Sequence, residues 1–478
     1  MNRELCYLSA SDAMRRFRAG SLSPVDLMSS VLEAAYEQQA SANATTVIHA
    51  DAALEGAQLA AQRYRDGTAR PLEGIPVAVK DESAVAGWTI TNGSTVREYV
   101  ADKNHPMVDR LVDAGAIPHV QTTTPEFSCL GQTWSRRWGV TRNPWNLHYT
   151  CSGSSGGTAA ALAAGCAPIG TGSDMAGSIR LPAAFQGLYG YKPPLGRVPT
   201  AAGDELFAFA TEGPLARSFD DLVAMQNVIA GPHPATYAAL PAAPLPTHYD
   251  DLSGWKIAFS ATLGSSAISA DVEANLHHAL DGLRRRGAII EPVAIDWDLK
   301  EIAETLIEGI FGIYFGDHFR SLPDDAYGQL NSYVRMLWDK HRDRRASLTP
   351  AAQCAAKLQQ DMHAKVWSQG YRALLCPASF TTALRADLDP SVEPELEIAG
   401  KLVESYLGWA ATPPFNLLSR SPVISVPTGF GANHVPTGMQ IVAPSYRDEV
   451  AFQIAANHAA ADHSGLYTRV FPDFRSAP

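Results

Sequence analysis

The sequence predicts an α/β protein built around a central sheet. Short apolar runs typical of strands alternate with helical patterns near both ends of the chain, a long glycine-poor helical stretch lies between them, and no internal repeat is present. Such alternation favours helices packed on a sheet. We therefore expect the two ends of the chain to complete one sheet, with a helix-rich insertion between them.

Composition restricts the possible classes of protein. Of the 478 residues, 46% are hydrophobic and 18% charged, which favours a large buried core and argues against disorder. The formal net charge of −11 argues against nucleic acid or an anionic membrane as a partner. Six cysteines without CxxC spacing indicate thiols in a reducing compartment. With no signal-peptide or membrane-span pattern, we expect a cytoplasmic protein.

The N-terminal elements follow from local signals. Ser23 is the predicted N-cap of a helix with Pro24 at its first position, and the alanine-rich stretch Asp51–Tyr64 is helical. Gly74–Asp81 is an apolar strand that ends abruptly in charge, at Lys80. Because active sites of open α/β sheets gather where strands end, Lys80 is a candidate functional residue, although most lysines in this position are simply exposed.

The remaining elements alternate with clear connections. The residues 122–127 start a turn or a helix, with Thr124 as the cap and Pro125 at the first position, and the proline- and alanine-rich segment 232–252 is a surface connection. The other predicted elements are the helices Met107–Ala114, Phe219–Ile229, Ala270–Arg286 and Asp448–Ala461, the helical stretch 299–369, and the strands Ala116–Val120, Trp255–Phe259, Ala288–Val293, Leu374–Pro377 and Val423–Pro427.

Two runs of small residues form the centre of the sequence. Ser152–Gly157 and Gly172–Arg180 flank Thr158–Ala164, which has the pattern of a buried helix. Glycines let the backbone approach closely, and serines in such turns present hydroxyls and N–H groups to one point, as acyl transfer requires. A flexible linker is the alternative, but the apolar run Leu181–Phe185 directly after the glycines disfavours it.

A serine nucleophile needs a base, and the sequence offers lysine or histidine. Gly153–Gly157 matches the Gly-x-Ser-x-Gly elbow with Ser155 at its centre, but the residues before it form a weak strand. His434 lies in a polar loop that we expect at the surface. Lys80, at the end of its strand, is the other basic candidate, and any lysine acts as a base only when it is neutral, in a pocket that disfavours the ammonium form.

Together these motifs resemble the amidase signature family of serine hydrolases. The resemblance covers nearly the whole chain and is carried by Gly74–Asp81, Arg142–Asn146, Ser152–Gly157, Gly172–Arg197, Pro414–Asn416, Val426–Phe430 and Gly438–Val442. It implies a large central mixed β-sheet flanked by helices on both faces. It also implies a single domain, 1–478, with a catalytic core at 60–230, a linker and helix-rich insertion forming part of the cleft at 231–370, and a segment completing the sheet at 371–478.

The resemblance also implies roles for individual residues. Ser178 matches the nucleophile, Ser154 the relay serine on a cis peptide bond, and Lys80 the general base, without a metal or organic cofactor. Asp174 braces the loop, and Arg180 and Ser155 support it. The backbone N–H groups that match the oxyanion donors belong to Met175, Ala176, Gly177 and Ser178.

Pocket residues and two departures from the family pattern complete the expectations. The resemblance places Cys129, Leu130, Gly131 and Gln132 at the pocket, with a buried structural thiol as the alternative for Cys129. On the inserted helices, Tyr314 and Phe315 cover the substrate or fill the core, two equally weighted alternatives. Serine replaces the usual first glycine at Ser152, and alanine replaces another at Ala176, where a negative φ is tolerable and a positive φ is strained.

The expected reaction is hydrolysis of a C–N acyl bond through an acyl-enzyme on Ser178. We expect a small-molecule substrate, an aryl or hydrophobic amide, with carbamates (urethanes) and esters served by the same oxyanion hole, and a monomer or homodimer that binds neither nucleic acid nor membrane. The alternative is the glutaminase subunit of a tRNA-dependent amidotransferase. Against it, Ala208–Pro214 lacks the S-S-L-D-Q-x-G-P stretch of such subunits.

Overall fold

A large mixed sheet forms the centre of the protein. The computed structural model describes residues 2–201, 208–265, 267–462 and 464–475. Eleven strands make up the sheet: β1 (Thr45–Ile48), β2 (Pro76–Lys80), β3 (Ile117–Thr122), β4 (Ile169–Asp174), β5 (Tyr189–Lys192), β6 (Thr211–Ala216), β7 (Lys256–Phe259), β8 (Ile289–Pro292), β9 (Leu374–Pro377), β10 (Val423–Phe430) and β11 (Pro436–Val442).

The strand order confirms that both ends of the chain complete one sheet. The order is β1-β3-β2-β4-β6-β5-β10-β11-β9-β7-β8. The pairs β3·β2, β2·β4, β9·β7 and β7·β8 are parallel and the other six are antiparallel. Since β2 and β4 run in parallel, Lys80 and Asp174 at their carboxyl ends reach the same edge of the sheet.

Helices cover both faces of the sheet. Val77 and Val79 of β2 pack into one apolar cluster, whereas Ala78 between them packs into another on the opposite face. The α-helices are α1 (Arg3–Cys6), α2 (Ala10–Arg18), α3 (Pro24–Gln38), α4 (Ala50–Arg65), α5 (Pro106–Asp113), α6 (Gly156–Ala163), α7 (Arg180–Gln186), α8 (Phe219–Ile229), α9 (Ala270–Arg285), α10 (Leu299–Thr305), α11 (Gly312–Ser321), α12 (Ser332–His341), α13 (Thr349–Lys365), α14 (Pro414–Leu417) and α15 (Asp448–Ala461). In the described parts of the chain, no helix is long and apolar enough to cross a membrane.

Local signals account for most element boundaries. The Ser23 side chain accepts a hydrogen bond from the N–H of Val25, which confirms the predicted cap of α3. Helices α8 and α15 have the predicted bounds, and every residue of α6 is buried, as its alanine-rich sequence predicts. A π-helical turn, Leu306–Phe311, joins α10 to α11 in the predicted helical stretch.

The structure decides between the two alternatives at Pro125. It precedes a short 3-10 turn, Glu126–Ser128, because Phe127 and Ser128 have φ of 55° and 59° and cannot continue a right-handed helix. The strands predicted near 255–259 and 288–293 are β7 and β8, which form one end of the central sheet.

Candidate active site

A cavity of about 460 Å³ opens over the carboxyl ends of β2 and β4. Ser154 and Ser178 both line it, and Lys80 lies behind Ser154, fully buried. The apolar part of the wall comes from four regions distant in sequence: the turn after β3, the segment from β4 into α7, the helices between β8 and β9, and the segment between β9 and β10. Its apolar lining residues include Phe127, Leu130, Met175, Ala176, Leu181, Phe311, Tyr314, Phe315 and Leu407.

The Lys80 side chain ends among two hydroxyls and one carboxylate. Its Nζ lies 2.7 Å from Ser154 Oγ and 2.9 Å from Ser173 Oγ, within hydrogen-bond distance of both. Glu82 Oε1 is 3.0 Å from the same nitrogen. The backbone N–H of Lys80 donates to Thr171 Oγ1 on β4 at 3.0 Å, which fixes the strand end. Lys80 is therefore fully buried with one carboxylate and two hydroxyls around its amine.

Glu82 is held as a carboxylate in this cluster. Burial raises the pKa of Glu82, but the Lys80 ammonium and hydrogen bonds from Ser128 and Ser173 outweigh burial and leave the pKa below its ordinary value. The Ser128 hydroxyl donates to Glu82 Oε2. The negative charge beside Lys80 is thus a stable feature of the site.

The glycine-serine turn brings the two serines to the cavity. The peptide bond between Gly153 and Ser154 is cis, as the resemblance implies. At the start of α6, a Cβ on Gly157 would lie 2.2 Å from Thr123 Oγ1, so only glycine permits this approach of the helix to β3. The N–H of Ser155 donates to the carbonyl of Ser178 at 3.2 Å and joins the two turns.

Asp174 and Arg180 form a fully buried pair beneath the Ser178 loop. Both Asp174 oxygens accept from the guanidinium at 2.9 Å, and one also accepts from the N–H of Gly177 at 2.8 Å. Burial raises the pKa of Asp174, but the Arg180 charge and hydrogen bonds outweigh it and hold the pKa below its usual range. Arg180 further donates to Gln440 Oε1 and Asn416 Oδ1, both at 2.6 Å, and to the carbonyl of Thr412 at 3.1 Å.

Gly177 has a backbone conformation that favours glycine. Its φ is +126°, and a Cβ there would lie 2.1 Å from Thr412 Oγ1. Thr412 Oγ1 donates to the Ala176 carbonyl at 2.6 Å. The N–H of Gly177 donates to Asp174, whereas within the described residues the N–H groups of Met175, Ala176 and Ser178 have no hydrogen-bond partner.

The predicted pocket residues separate into two groups. Cys129, Leu130 and Gly131 line the cavity, whereas Gln132 is fully buried and lies outside the lining residues. Burial raises the pKa of the Cys129 thiol well above its ordinary value, so the group stays a neutral thiol. Tyr314 and Phe315 both line the cavity, and Phe315 is at the same time part of the core.

The two departures from the family pattern have different backbone conformations. Ala176 is not among the residues with positive φ, so its Cβ is tolerated. Ser152 has φ of 64°, in the left-handed region that favours glycine, and its hydroxyl donates to the Gly131 carbonyl at 3.2 Å. Of the two alternatives left open for Ala176, the structure has the tolerable one, and the left-handed backbone occurs at Ser152.

The competing candidates lie away from the reacting groups. Ser155 is fully buried with its hydroxyl 3.4 Å from the backbone of Ser173, and His434 is exposed. In the ranges that the structure describes, no group of three or more histidine, cysteine or acidic side chains is placed to hold a metal ion.

Sequence reasoning missed four residues that position the site. Glu82 and Ser173 contact Lys80, while Thr412 and Asn416 hold the Ser178 loop from more than 230 positions later in the chain. Glu82 had a usable signal, because it is a charged residue two positions beyond the candidate base. Thr412 had none, since no local pattern links it to the loop.

Comparison with known proteins agrees with this geometry. A sequence model of the Amidase family matches residues 26–451. An acylamidase of Rhodococcus erythropolis is 31% identical over 95% of this chain and 96% of the relative, and a subunit of the glutamyl-tRNA(Gln) amidotransferase of Symbiobacterium thermophilum is 31% identical over 94% and 95%. The structure of a bacterial aryl acylamidase of the amidase signature family superposes with a TM-score of 0.88 at 23% identity, covering 98% of each chain. This chain belongs to the amidase family.

Proposed function

We propose that this amidase, a hydrolase of amide carbon–nitrogen bonds, acts through an acyl-enzyme on Ser178, with Ser154 as proton relay and Lys80 as general base. The observation that carries the assignment is the 2.7 Å contact between Lys80 Nζ and Ser154 Oγ, with Ser154 and Ser178 on the wall of one cavity. A serine hydroxyl becomes a competent nucleophile when a neighbouring base removes its proton.

The reaction follows from these positions. Neutral Lys80 takes a proton from Ser154, which takes one from Ser178 as the Ser178 oxygen bonds to the acyl carbon. The N–H groups of Met175, Ala176 and Ser178 are placed to stabilise the oxyanion. The proton then returns through Ser154 to the leaving nitrogen, the C–N bond breaks, and water releases the acyl group by the same relay.

A covalent probe tests the nucleophile. The wild-type chain, labelled with a fluorophosphonate and digested, is expected to carry the adduct on Ser178, and Ser178→Ala is expected to lose both the adduct and amide turnover. Ser155→Ala is the matched control, because Ser155 neighbours the relay but binds only backbone, and its adduct stays on Ser178. An adduct on Ser155, with turnover retained in Ser178→Ala, would falsify the assignment.

The cavity wall supports aryl or other hydrophobic amides as substrates. Phe127, Phe311 and Phe315 contribute apolar surface over the serines, and such surface binds aromatic groups more strongly than small polar amides. Carbamates and esters follow because the same oxyanion hole serves any planar acyl group. A panel of p-nitroanilides, aryl esters, aryl carbamates and acetamide tests this, and a preference for acetamide over every aryl compound contradicts it.

The amidotransferase alternative has its own test. The amidotransferase relative is as similar in sequence as the acylamidase, so glutaminase activity and co-purification of a partner protein are worth measuring. The apolar wall disfavours glutamine, whose side chain carries a polar amide.

A location in the cytoplasm remains our proposal, and it is supported by six cysteines that are all free thiols. A monomer or homodimer remains our proposal for the oligomeric state.

A further inference from the structure

We propose that Glu82 is a positioning residue that holds the Lys80 side chain against Ser154 and sets the pH range in which the relay operates. This inference rests on the proposed roles of Lys80, Ser154 and Ser178. It is carried by the direct contact between Glu82 and Lys80 and by the way both oxygens of the carboxylate are placed.

Glu82 is the second residue after the end of β2, and its side chain reaches the site from there. One oxygen lies 3.0 Å from Lys80 Nζ, and the other accepts a hydrogen bond from the Ser128 hydroxyl. The Glu82 side chain is 17% exposed and lines the cavity, whereas Lys80 is completely buried. The buried Lys80 amine therefore has a carboxylate beside it, at the border between protein and substrate space.

The contacts of Glu82 lead back to the relay serine. The Ser128 hydroxyl is 3.0 Å from Thr124 Oγ1, which in turn lies 3.2 Å from the carbonyl of Ser154. Lys80 Nζ contacts Ser154 Oγ from the other side. The left-handed φ of Ser128, 59°, aims its hydroxyl at Glu82 and is a costly conformation for a serine. A closed circuit of polar contacts thus orients base, carboxylate and relay together.

Other ionisable groups near the site are committed elsewhere or neutral. Asp81 accepts from the N–H of Thr91 and from Gln121, and Asp174 pairs with Arg180. Burial lowers the pKa of His105 to about 4, which leaves its ring neutral. Charged groups of the cavity rim are Arg97, Asp102, Lys103, Asp109 and Glu212. Glu82 is therefore the carboxylate that acts directly on Lys80.

This carboxylate has two opposite effects on the reaction. Before attack, a carboxylate beside the amine opposes the reaction, because the base must be neutral to accept the proton. During attack, the proton of Ser178 passes through Ser154 to Lys80 while the Ser178 oxygen bonds to the acyl carbon, and Glu82 stabilises the new positive charge. Removing the carboxylate should shift activity to lower pH and also reduce its maximum.

The test measures the rate of Ser178 labelling by a fluorophosphonate from mildly acidic to alkaline pH. When the labelling rate is plotted against pH, it is expected to rise to a maximum. In Glu82→Gln, the midpoint, which is the pH at which the rate reaches half of its maximum, is expected to fall by about one unit or more, and the maximal rate by about tenfold. Glu82→Asp keeps the charge and is expected to keep a midpoint near that of the wild type. Glu98→Gln is the matched control, since it removes an exposed carboxylate paired with Arg137.

Each outcome is decisive. A folded Glu82→Gln variant with the wild-type midpoint overturns the proposal, as does an equal shift in Glu98→Gln. If Glu82→Gln does not fold, Glu82→Ala supplies the same comparison, and a lowered maximum without any shift in midpoint in that variant indicates a merely structural role. Absence of labelling on Ser178 in the wild type instead contradicts the proposed function itself.

Discussion

Two buried ion pairs flank the candidate nucleophile, and they differ in what surrounds them. The pair of Asp174 and Arg180 is completely buried, and its polar atoms are satisfied by backbone and by the amides of Asn416 and Gln440. The pair of Lys80 and Glu82 has serine hydroxyls as neighbours, and the Glu82 side chain opens to the cavity.

The difference separates a structural role from a chemical one. The pair of Asp174 and Arg180, called the sealed pair below, has fixed partners, so it holds the loop in one conformation and offers no route for proton movement. Hydroxyls rotate and exchange protons, so a pair among serines can pass a proton toward a substrate. Disturbing the first pair should therefore reduce stability most, and disturbing the second should reduce catalysis most.

The largest expected effect is on catalysis, from Lys80→Ala. We expect kcat/KM for an anilide to fall by about 10³–10⁴, because the base and the proton donor for the leaving nitrogen are both lost. The free energy of unfolding should fall by only about 1–2 kcal/mol, since water in the cavity can hydrate Glu82. Steady-state kinetics and urea unfolding measure the two quantities.

Two comparisons extend that result. Lys80→Arg is not expected to restore turnover, because guanidinium stays protonated. Activated aryl esters should lose less than anilides, since their leaving groups need no proton. Near wild-type anilide turnover in Lys80→Ala would make Lys80 structural.

The next largest effect is on stability, from Arg180→Met. The change leaves Asp174 buried without its counter-charge, and we expect about 3–5 kcal/mol of unfolding free energy to be lost. Arg385→Met is the control, because its pair with Glu393 is exposed and contributes at most about 1 kcal/mol. Equal losses in the two variants, measured by urea unfolding, contradict the role of the sealed pair.

The sealed pair also predicts the acid response of the protein. The pKa of Asp174 is depressed in the folded state, so its contribution to stability is present above the unfolded value of about 3.9 and is lost as pH falls through the folded value. Asp174→Asn is expected to be less stable than the wild type at neutral pH. The gap between their unfolding free energies should narrow below about pH 4, and a constant gap contradicts the assignment.

The smallest expected effects are two changes of opposite sign in the free energy of unfolding, one at Ser152 and one at Ala176. Ser152→Gly, beside the relay, relieves a left-handed φ and should raise the unfolding free energy by about 0.5 kcal/mol, net of the lost bond to Gly131. Ala176→Gly, on the sealed side, should lower it by about 0.5–1 kcal/mol because its φ suits alanine. Thermal unfolding of both variants tests the signs.

The sequence predicted those parts of the molecule that depend on neighbours in the chain. The cap at Ser23, the buried helix α6 and the strand ending at Lys80 follow from local spacing, and the structure confirms them. At Pro125 the sequence left a turn and a helix as alternatives, because proline suits the start of either. The two left-handed residues that follow, Phe127 and Ser128, make it a turn, and no local pattern indicated their conformation.

The candidate site, like the fold, could be predicted only where local sequence motifs report it. The motifs identified Lys80, Ser154 and Ser178 as candidates, and their roles remain predictions. The contact of Glu82 with Lys80 was not predicted, although the charge two positions after Lys80 was a usable signal. The hydrogen bond from Thr412 to the Ala176 carbonyl could not be predicted, because Thr412 is distant in sequence and no local pattern links it to the loop.

The long-range anchoring of the Ser178 loop has a consequence for biosynthesis. Thr412 and Asn416 donate hydrogen bonds to the loop, and Gln440 accepts one from Arg180, although the ribosome makes all three more than 230 residues after their partners. A nascent chain that already contains Lys80, Ser154 and Ser178 still lacks these hydrogen bonds. We therefore expect the loop to take its final shape only after β11, the last strand, has been synthesised and has joined the sheet.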